Sequence, residues 1–351
     1  MIKETVPGSN SLTGFRFGEL NRQILGLGGK KYTAGQIWSW LYRKKVFKID
    51  EMTDIPADFR SLLKENFTLC LPVIEKSEKS SDGTVKLLLK LYDGNFIECV
   101  IIPEKDRNTL CVSSQAGCRF NCSFCSTGKQ GFKRNLTADE IVGQVLVSSL
   151  YSGNRITNVV YMGMGEPFDN YDEVIRSADI LSDDSGLAIG TRKITISTFG
   201  YTANIIRFTD EDIRYKLAVS LHNPFDDERD KIMPANKKYS LKELFEALIR
   251  YTNLSNRKVV FEYILMKNFN DTERHAAELL RLLSKLPSKL NLIKYHAQKG
   301  GSDFTPVEEP SAMKFYNYFR NAGFPVVFRT SRGEDISAAC GQLTAKTLTE
   351  K

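Results

Sequence analysis

No stretch of the sequence approaches the roughly twenty consecutive apolar residues of a membrane-spanning helix. The segment from Met1 to Lys30 also lacks the apolar run that marks a signal peptide. Both absences argue against a membrane or secreted protein and lead us to expect a cytoplasmic one. Neither an internal repeat nor a low-complexity tract interrupts the chain, which sets aside solenoid and compositionally disordered classes. What remains is a globular composition: 351 residues, 42% of them hydrophobic, enough for one large core and a smaller accessory unit. Seven cysteines in a reducing compartment point to metal or catalytic use rather than to a disulfide framework. The net charge of +7 permits a polyanionic partner without requiring one.

The most informative absence is a fourth cysteine. Cys118, Cys122 and Cys125 stand in Cys-Arg-Phe-Asn-Cys-Ser-Phe-Cys, a C-x3-C-x2-C triplet. Three thiolates can hold three irons of a cubane iron-sulfur cluster and leave the fourth iron without a protein ligand. A structural zinc site is closed by four ligands, and a purely electron-carrying cluster usually takes four cysteines, so an open position argues for a bound reactant. On spacing alone, zinc with Cys111 as its fourth ligand is the competing reading.

Along the chain, residues 28–66 read as helical, with apolar positions at helical spacing in Ala34 to Tyr42 and again in Asp58 to Asn66. Lys30, Lys31 and the run Arg43-Lys44-Lys45 are candidate phosphate contacts there, although charge at a helix end is commonly just solvated. Residues 72–102 hold three apolar-rich runs separated by Asp82-Gly83 and Asp93-Gly94, which predicts an antiparallel meander. From about residue 108, β-rich runs alternate with helical stretches: 109–113, 159–162, 193–198, 216–221, 259–265, 290–295 and 326–330. Such alternation predicts an α/β fold with a parallel sheet, whose functional groups gather beyond the carboxyl ends of the strands. Gly163 to Glu166, Ser197 to Gly200, Ser220 to Asn223, Lys267 to Asn270 and His296 follow predicted strands in this way. The expected units are a helical accessory domain over 1–70, an antiparallel extension or linker over 71–107, a core over 108–345 that ends in a cysteine-bearing loop, and a tail over 346–351.

The triplet, with Phe124 before its last cysteine and Gly163-Met164-Gly165-Glu166 downstream, resembles radical S-adenosylmethionine (SAM) enzymes. Leu110 to Cys118, Gly131 to Leu136, Ser220 to His222, Arg229 to Asn236 and Ala338 to Leu343 together resemble the RlmN/Cfr family of ribosomal RNA adenine methyltransferases. The likeness runs from about Gly28 to Leu343. It implies a partial (β/α)6 barrel, open on one side, with an N-terminal helical domain that helps seat RNA. It implies a [4Fe-4S] cluster on Cys118, Cys122 and Cys125, and two SAM molecules per turnover. Gly165, Glu166, Ser197, Ser220, Leu221, His222 and His296 match positions that bind SAM. Cys340 matches a cysteine methylated by a first SAM; a radical from the second then removes hydrogen from that S-methyl group, and the carbon adds to adenine. Glu98 matches the base that takes the ring proton, and Cys111 the thiol that releases the product by forming a disulfide with Cys340.

That route explains how a methyl reaches an adenine ring carbon that is neither nucleophilic nor acidic enough for direct transfer. The implied target is C2 of an adenosine in 23S ribosomal RNA, with a flavodoxin-type protein as reductant. Transfer RNA as target, C8 methylation as in antibiotic resistance, and a non-catalytic metal-cluster RNA-binding protein are the alternatives.

Read for themselves, the residues divide. Glu98 lies in the apolar run Phe96 to Ile102, where alternation leaves inward and outward facing equally open; burial would move a carboxyl toward useful basicity. Cys70 and Cys99 are expected to be packing residues. Lys129, Lys133 and Arg134 are candidate phosphate contacts, and Phe132 a candidate stacking partner for a base drawn out of its helix. One departure stands out: the family has Asn-Leu-Ile-Pro-x-Asn-Pro where this chain has Asn291-Leu-Ile-Lys-Tyr-His296-Ala297. Histidine still donates a hydrogen bond but is larger and titratable, so a different RNA target or ring position is a further alternative.

Overall fold

The computed structural model describes residues 10–297 and 304–345; the expected tail 346–351 and the first nine residues of the expected accessory unit lie outside them. Both Asp-Gly pairs turn the chain as their chemistry dictates. Gly83 and Gly94 take φ of 87° and 82°, while the Asp82 and Asp93 carboxylates accept the amides of Thr84 and Asn95 at 2.8 and 3.0 Å. The turns join β1 (Val73–Lys79), β2 (Val85–Lys90) and β3 (Phe96–Glu104) into the expected meander. β3 pairs on with β4 (Arg107–Cys111), so the meander continues the main sheet.

A two-stranded ribbon follows, β5 (Gln115–Gly117) with β6 (Phe132–Asn135), and the cysteine triplet lies in the excursion between them. Then come β7 (Asn158–Tyr161), β8 (Ile194–Thr198), β9 (Lys216–Ser220), β10 (Val259–Leu265), β11 (Ser288–Lys294) and β12 (Val326–Arg329). The main sheet runs β1-β2-β3-β4-β7-β8-β9-β10-β11-β12, and every pairing from β4 to β12 is parallel. Helices 138–152, 171–182, 202–210, 241–255, 273–283 and 309–321 supply the crossovers between successive parallel strands. All seven predicted parallel strands are present. Residues from β4 and from β12 border one cavity, so the sheet curls into an open barrel.

Ahead of the sheet stand three helices, 17–26, 33–42 and 57–66. The first lies upstream of the span read as helical, although Leu20 and Ile24 already carry its spacing, and both are fully buried. Of the cations considered for phosphate, several have protein partners instead. Arg43 donates to the Ser185 carbonyl at 2.8 Å, Lys44 lies 3.3 Å from the centroid of the Trp40 ring, and Lys45 donates to Ser149 at 2.7 Å. Two of the three contacts, with Arg16 on Asp179 at 2.6 Å, fasten the helical segment to the barrel.

Candidate active site

The excursion bearing the triplet is closed at its neck by the Cys118 amide, which donates to the Gly131 carbonyl at 3.0 Å. An apolar cluster that includes Phe124, Phe199, Ile232 and Met233 packs against Cys122 and Cys125. All three thiols border one cavity, whose wall also carries Cys111, Gly165, Glu166, Ser197, Ser220, His222 and Cys340. Burial pushes the Cys118 thiol up to about 12 and raises that of Cys122 as well. Thiolates there need a cation, and three thiols around one wall suit a cluster that spreads its cysteines over three irons. Among the described residues no group of three or more His, Cys, Asp or Glu side chains is set to hold a single metal ion.

Gly165 has φ of 96°, and a Cβ there would stand 2.5 Å from the Gln115 side chain. Its close approach is thus to the chain itself. Glu166 is buried, and its two carboxylate oxygens accept the amides of Phe168 and Phe199 at 3.0 and 2.9 Å. Burial pushes the carboxyl up to about 7 against those two bonds. His222 has φ of 58° and accepts the Ile264 amide on Nδ1 at 3.1 Å, with its ring edge-on to Phe124 at 4.8 Å. Burial, helped by Arg229, lowers it to about 3, so it is neutral and carries its proton on Nε2.

Cys340 reaches the wall through three anchors. The Ser126 amide donates to the Gly341 carbonyl at 2.7 Å, Thr127 Oγ1 to the Leu343 carbonyl at 2.8 Å, and the Thr344 amide to Glu98 Oε2 at 2.8 Å. Cys340 is exposed toward the cavities it borders, yet the protein around it raises its thiol, with Arg329 opposing. Burial raises the Cys111 thiol too, and the next largest influence on it is Cys340.

A scan against family descriptions matches the radical SAM superfamily over residues 112–280 and the ribosomal RNA large subunit methyltransferase N-terminal domain over 10–69. A dual-specificity RNA methyltransferase RlmN of Rhodopseudomonas palustris is 44% identical, the match covering 97% of this chain and 90% of that one. A probable dual-specificity RNA methyltransferase RlmN of Bacteroides thetaiotaomicron is 43% identical over 95% and 96%. The chain belongs to the RlmN family of radical SAM methyltransferases. A crystal structure of a radical SAM methyltransferase from Sphaerobacter thermophilus has the same fold, with a TM-score of 0.91 at 40% identity over 96% of this chain and 100% of that one. Membership in the superfamily brings a [4Fe-4S] cluster and SAM as cofactors.

Within this RlmN-family barrel, three predicted site residues stand off the cavity wall. Leu221 is fully buried behind it. Glu98 is buried but ion-paired with Lys86 at 3.3 Å, so its surroundings are not the apolar ones that the run Phe96 to Ile102 suggests. His296 turns to Ser331 at 2.5 Å and Glu334 at 2.9 Å. Of the residues near the triplet, Arg134 is held by Glu140 at 2.7 Å and by Asp93 at 2.5 Å, and Phe132 lies under the Arg119 guanidinium at 4.0 Å. Lys129 and Lys133 are exposed. Cys99 is buried beside Ser148, whereas Cys70 is exposed in the stretch before β1 and is no packing residue. The strand spacing gave no hint of Arg229, fully buried, which donates to the carbonyls of Leu221, Phe199 and Ser220 at 2.9, 2.5 and 3.1 Å, and to Asn236.

Proposed function

We propose that the protein acts in the cytoplasm and methylates C2 of an adenosine in 23S ribosomal RNA, with transfer RNA as a second substrate, by way of S-methylated Cys340. The observation that carries this reading is that Cys340 and Cys111 face the same cavity as the triplet. Its relatives' printed names, dual-specificity RNA methyltransferases, support RNA of two kinds.

Cys118, Cys122 and Cys125 would hold the cluster, with Gly165, Glu166, Ser197, Ser220 and His222 around SAM and Leu221 backing them from behind the wall. When bound, that pair supplies a methyl group and the power to abstract hydrogen from an unactivated carbon. The residues of the chain do the rest. Cys340 carries the methyl carbon to the ring. Glu98 takes the ring proton, for which it must exchange its contact with Thr344. Once the ring has given up its odd electron, the Cys111 thiol loses its proton and attacks the Cys340 sulfur. The sulfur–carbon bond breaks, the carbon leaves on the adenine and takes up a proton to become the methyl group, and a Cys111–Cys340 disulfide remains for an external dithiol to reduce. A flavodoxin-type protein is the proposed electron donor. His296, directed at Ser331 and Glu334, is proposed as a SAM contact only after a side-chain rotation.

The test is anaerobic turnover with cluster-reconstituted protein, reductant, SAM with a trideuterated methyl, and unmodified ribosomal RNA or transfer RNA. Nucleoside mass spectrometry should find 2-methyladenosine that retains two of the three deuteriums, because one hydrogen is abstracted from the methyl. A product at C8 would overturn the C2 assignment, and three retained deuteriums would overturn the route through Cys340.

A further inference from the structure

Glu262 is a carboxylate in the middle of β10, among Val259, Val260, Phe261, Tyr263, Ile264 and Leu265, and it is 5% exposed. Register places it beside Ser220 of β9 on one side and Asn291 of β11 on the other. Its side chain borders the cavity that holds Cys340 and the triplet. One oxygen is satisfied, since Oε1 accepts the Asn291 amide at 2.8 Å. The other, Oε2, is buried with no hydrogen-bond partner; Arg329 Nη1 stands 3.6 Å away, close enough for attraction but beyond hydrogen-bond length.

A buried carboxylate oxygen without a donor is costly, by about 1–3 kcal/mol or more for a charged group. Any ligand that closes over it must bring a donor of its own or lose affinity. Negative charge rules out a phosphate or carboxylate as that group and selects a hydroxyl or amino group. Burial raises the pKa of the carboxyl, and Arg329 opposes the rise.

We infer that Glu262 is a ligand-binding residue of this cavity, its free oxygen accepting a hydrogen bond from a ribose hydroxyl or exocyclic amino group of a nucleoside seated there. The inference rests on the reading above, in which two nucleosides enter the cavity: the adenosyl part of SAM and the target adenosine.

Cluster-loaded Glu262→Gln and Arg329→Gln separate the sources. SAM affinity is read by anaerobic equilibrium dialysis, and the KM for RNA by methyl transfer. Loss of at least tenfold in SAM affinity in Glu262→Gln, at unchanged iron content, makes the cofactor the occupant. A tenfold rise in the KM for RNA with SAM affinity intact makes it the target adenosine. Wild-type values for both ligands, or the same loss in Arg329→Gln, would overturn the proposal, because Glu262 would then serve only its arginine. Should Glu262→Gln not fold, wild-type protein decides with analogues. S-adenosylhomocysteine lacking the amino group or the ribose hydroxyls, and RNA carrying purine riboside at the target, should each be compared with the parent ligand; no loss for any of them overturns the proposal. The SAM-binding arm needs no methylated product, so it stays readable if the C2 assignment fails.

Discussion

The Glu98 carboxylate accepts the Thr344 amide hydrogen at 2.8 Å, across 246 residues of chain. This bond joins β3 to the segment that presents Cys340, and Lys86, itself paired with Glu78 at 3.0 Å, backs it from behind. The residue proposed as base is therefore also a tether for the residue proposed as methyl carrier.

Two substitutions separate the roles. Glu98→Gln keeps an acceptor for Thr344 but cannot take a proton, so it should hold the segment and lose ring methylation. Glu98→Ala removes the acceptor and leaves Lys86 with one partner fewer, which should cost about 2–3 kcal/mol in urea unfolding. Iodoacetamide should label Cys340 faster in the alanine variant than in wild type, read by peptide mass. Equal labelling rates in the two would mean that the segment is held without Glu98.

The proximity of Cys111 and Cys340 predicts a redox pair. In cluster-loaded protein, oxidised glutathione should link these two cysteines, detected as one joined peptide that disappears on reduction. Both thiols lie above the ordinary value, so little thiolate exists near neutrality. The linking rate should therefore keep rising with pH beyond 9, where an ordinary thiol levels off. Cys111→Ala should abolish the joined peptide without changing the iron content. A joined peptide that pairs Cys340 with any other cysteine would contradict the arrangement.

Much of this was legible because it is local. Asp-Gly turns, the triplet and the β-rich runs declare themselves within a few residues. The misreadings concern partners distant in sequence. Arg134 reads as a phosphate contact until its partner Asp93, 41 residues earlier, is seen. Glu98 reads as a carboxylate among apolar neighbours, while its partners are Lys86 on the adjoining strand and Thr344 near the far end of the chain. Glu262 was within reach: a lone carboxylate in an apolar strand drew notice at Glu98, and the same rule applied to Val259 to Leu265 finds it.

Glu166 predicts a pH dependence with a definite sign. Its carboxyl moves from an ordinary 4.5 to about 7 in the fold, with burial as the main cause. The folded state then binds a proton more tightly than the unfolded one. Its contribution is fully present below about 4.5 and is lost as pH rises through about 7, roughly 3 kcal/mol at ~1.4 kcal/mol per pKa unit. Unfolding of the apoprotein measured from pH 4.5 to 8 should show this loss, and Glu166→Gln should not. Parallel pH profiles for the two proteins would sink the assignment.

Arg229 is the last and severest case. Its guanidinium is fully buried, and burial lowers it to about 10, yet no carboxylate pairs with it among the described residues. Instead it ties the ends of β8 and β9 together through Phe199, Ser220 and Leu221, beside the triplet's Cys122. Arg229→Met returns the cost of a buried charge but takes a donor from four acceptors, of which only the Leu221 carbonyl keeps another among the described residues, the Asn223 amide; each acceptor left without a donor is worth about 1–3 kcal/mol. The acceptors should win, and stability should fall by about 3 kcal/mol or more. Arg229→Lys keeps the charge but has no planar fork to reach all four, so it should fall between. The loss should extend to the cluster, because the strand ends it ties line the same cavity and its positive charge lies close to Cys122. Iron content after anaerobic reconstitution should follow the order wild type, lysine, methionine. A methionine variant that unfolds at the wild-type urea concentration and takes up full iron would show that the strand ends hold themselves and that the buried cation is dispensable.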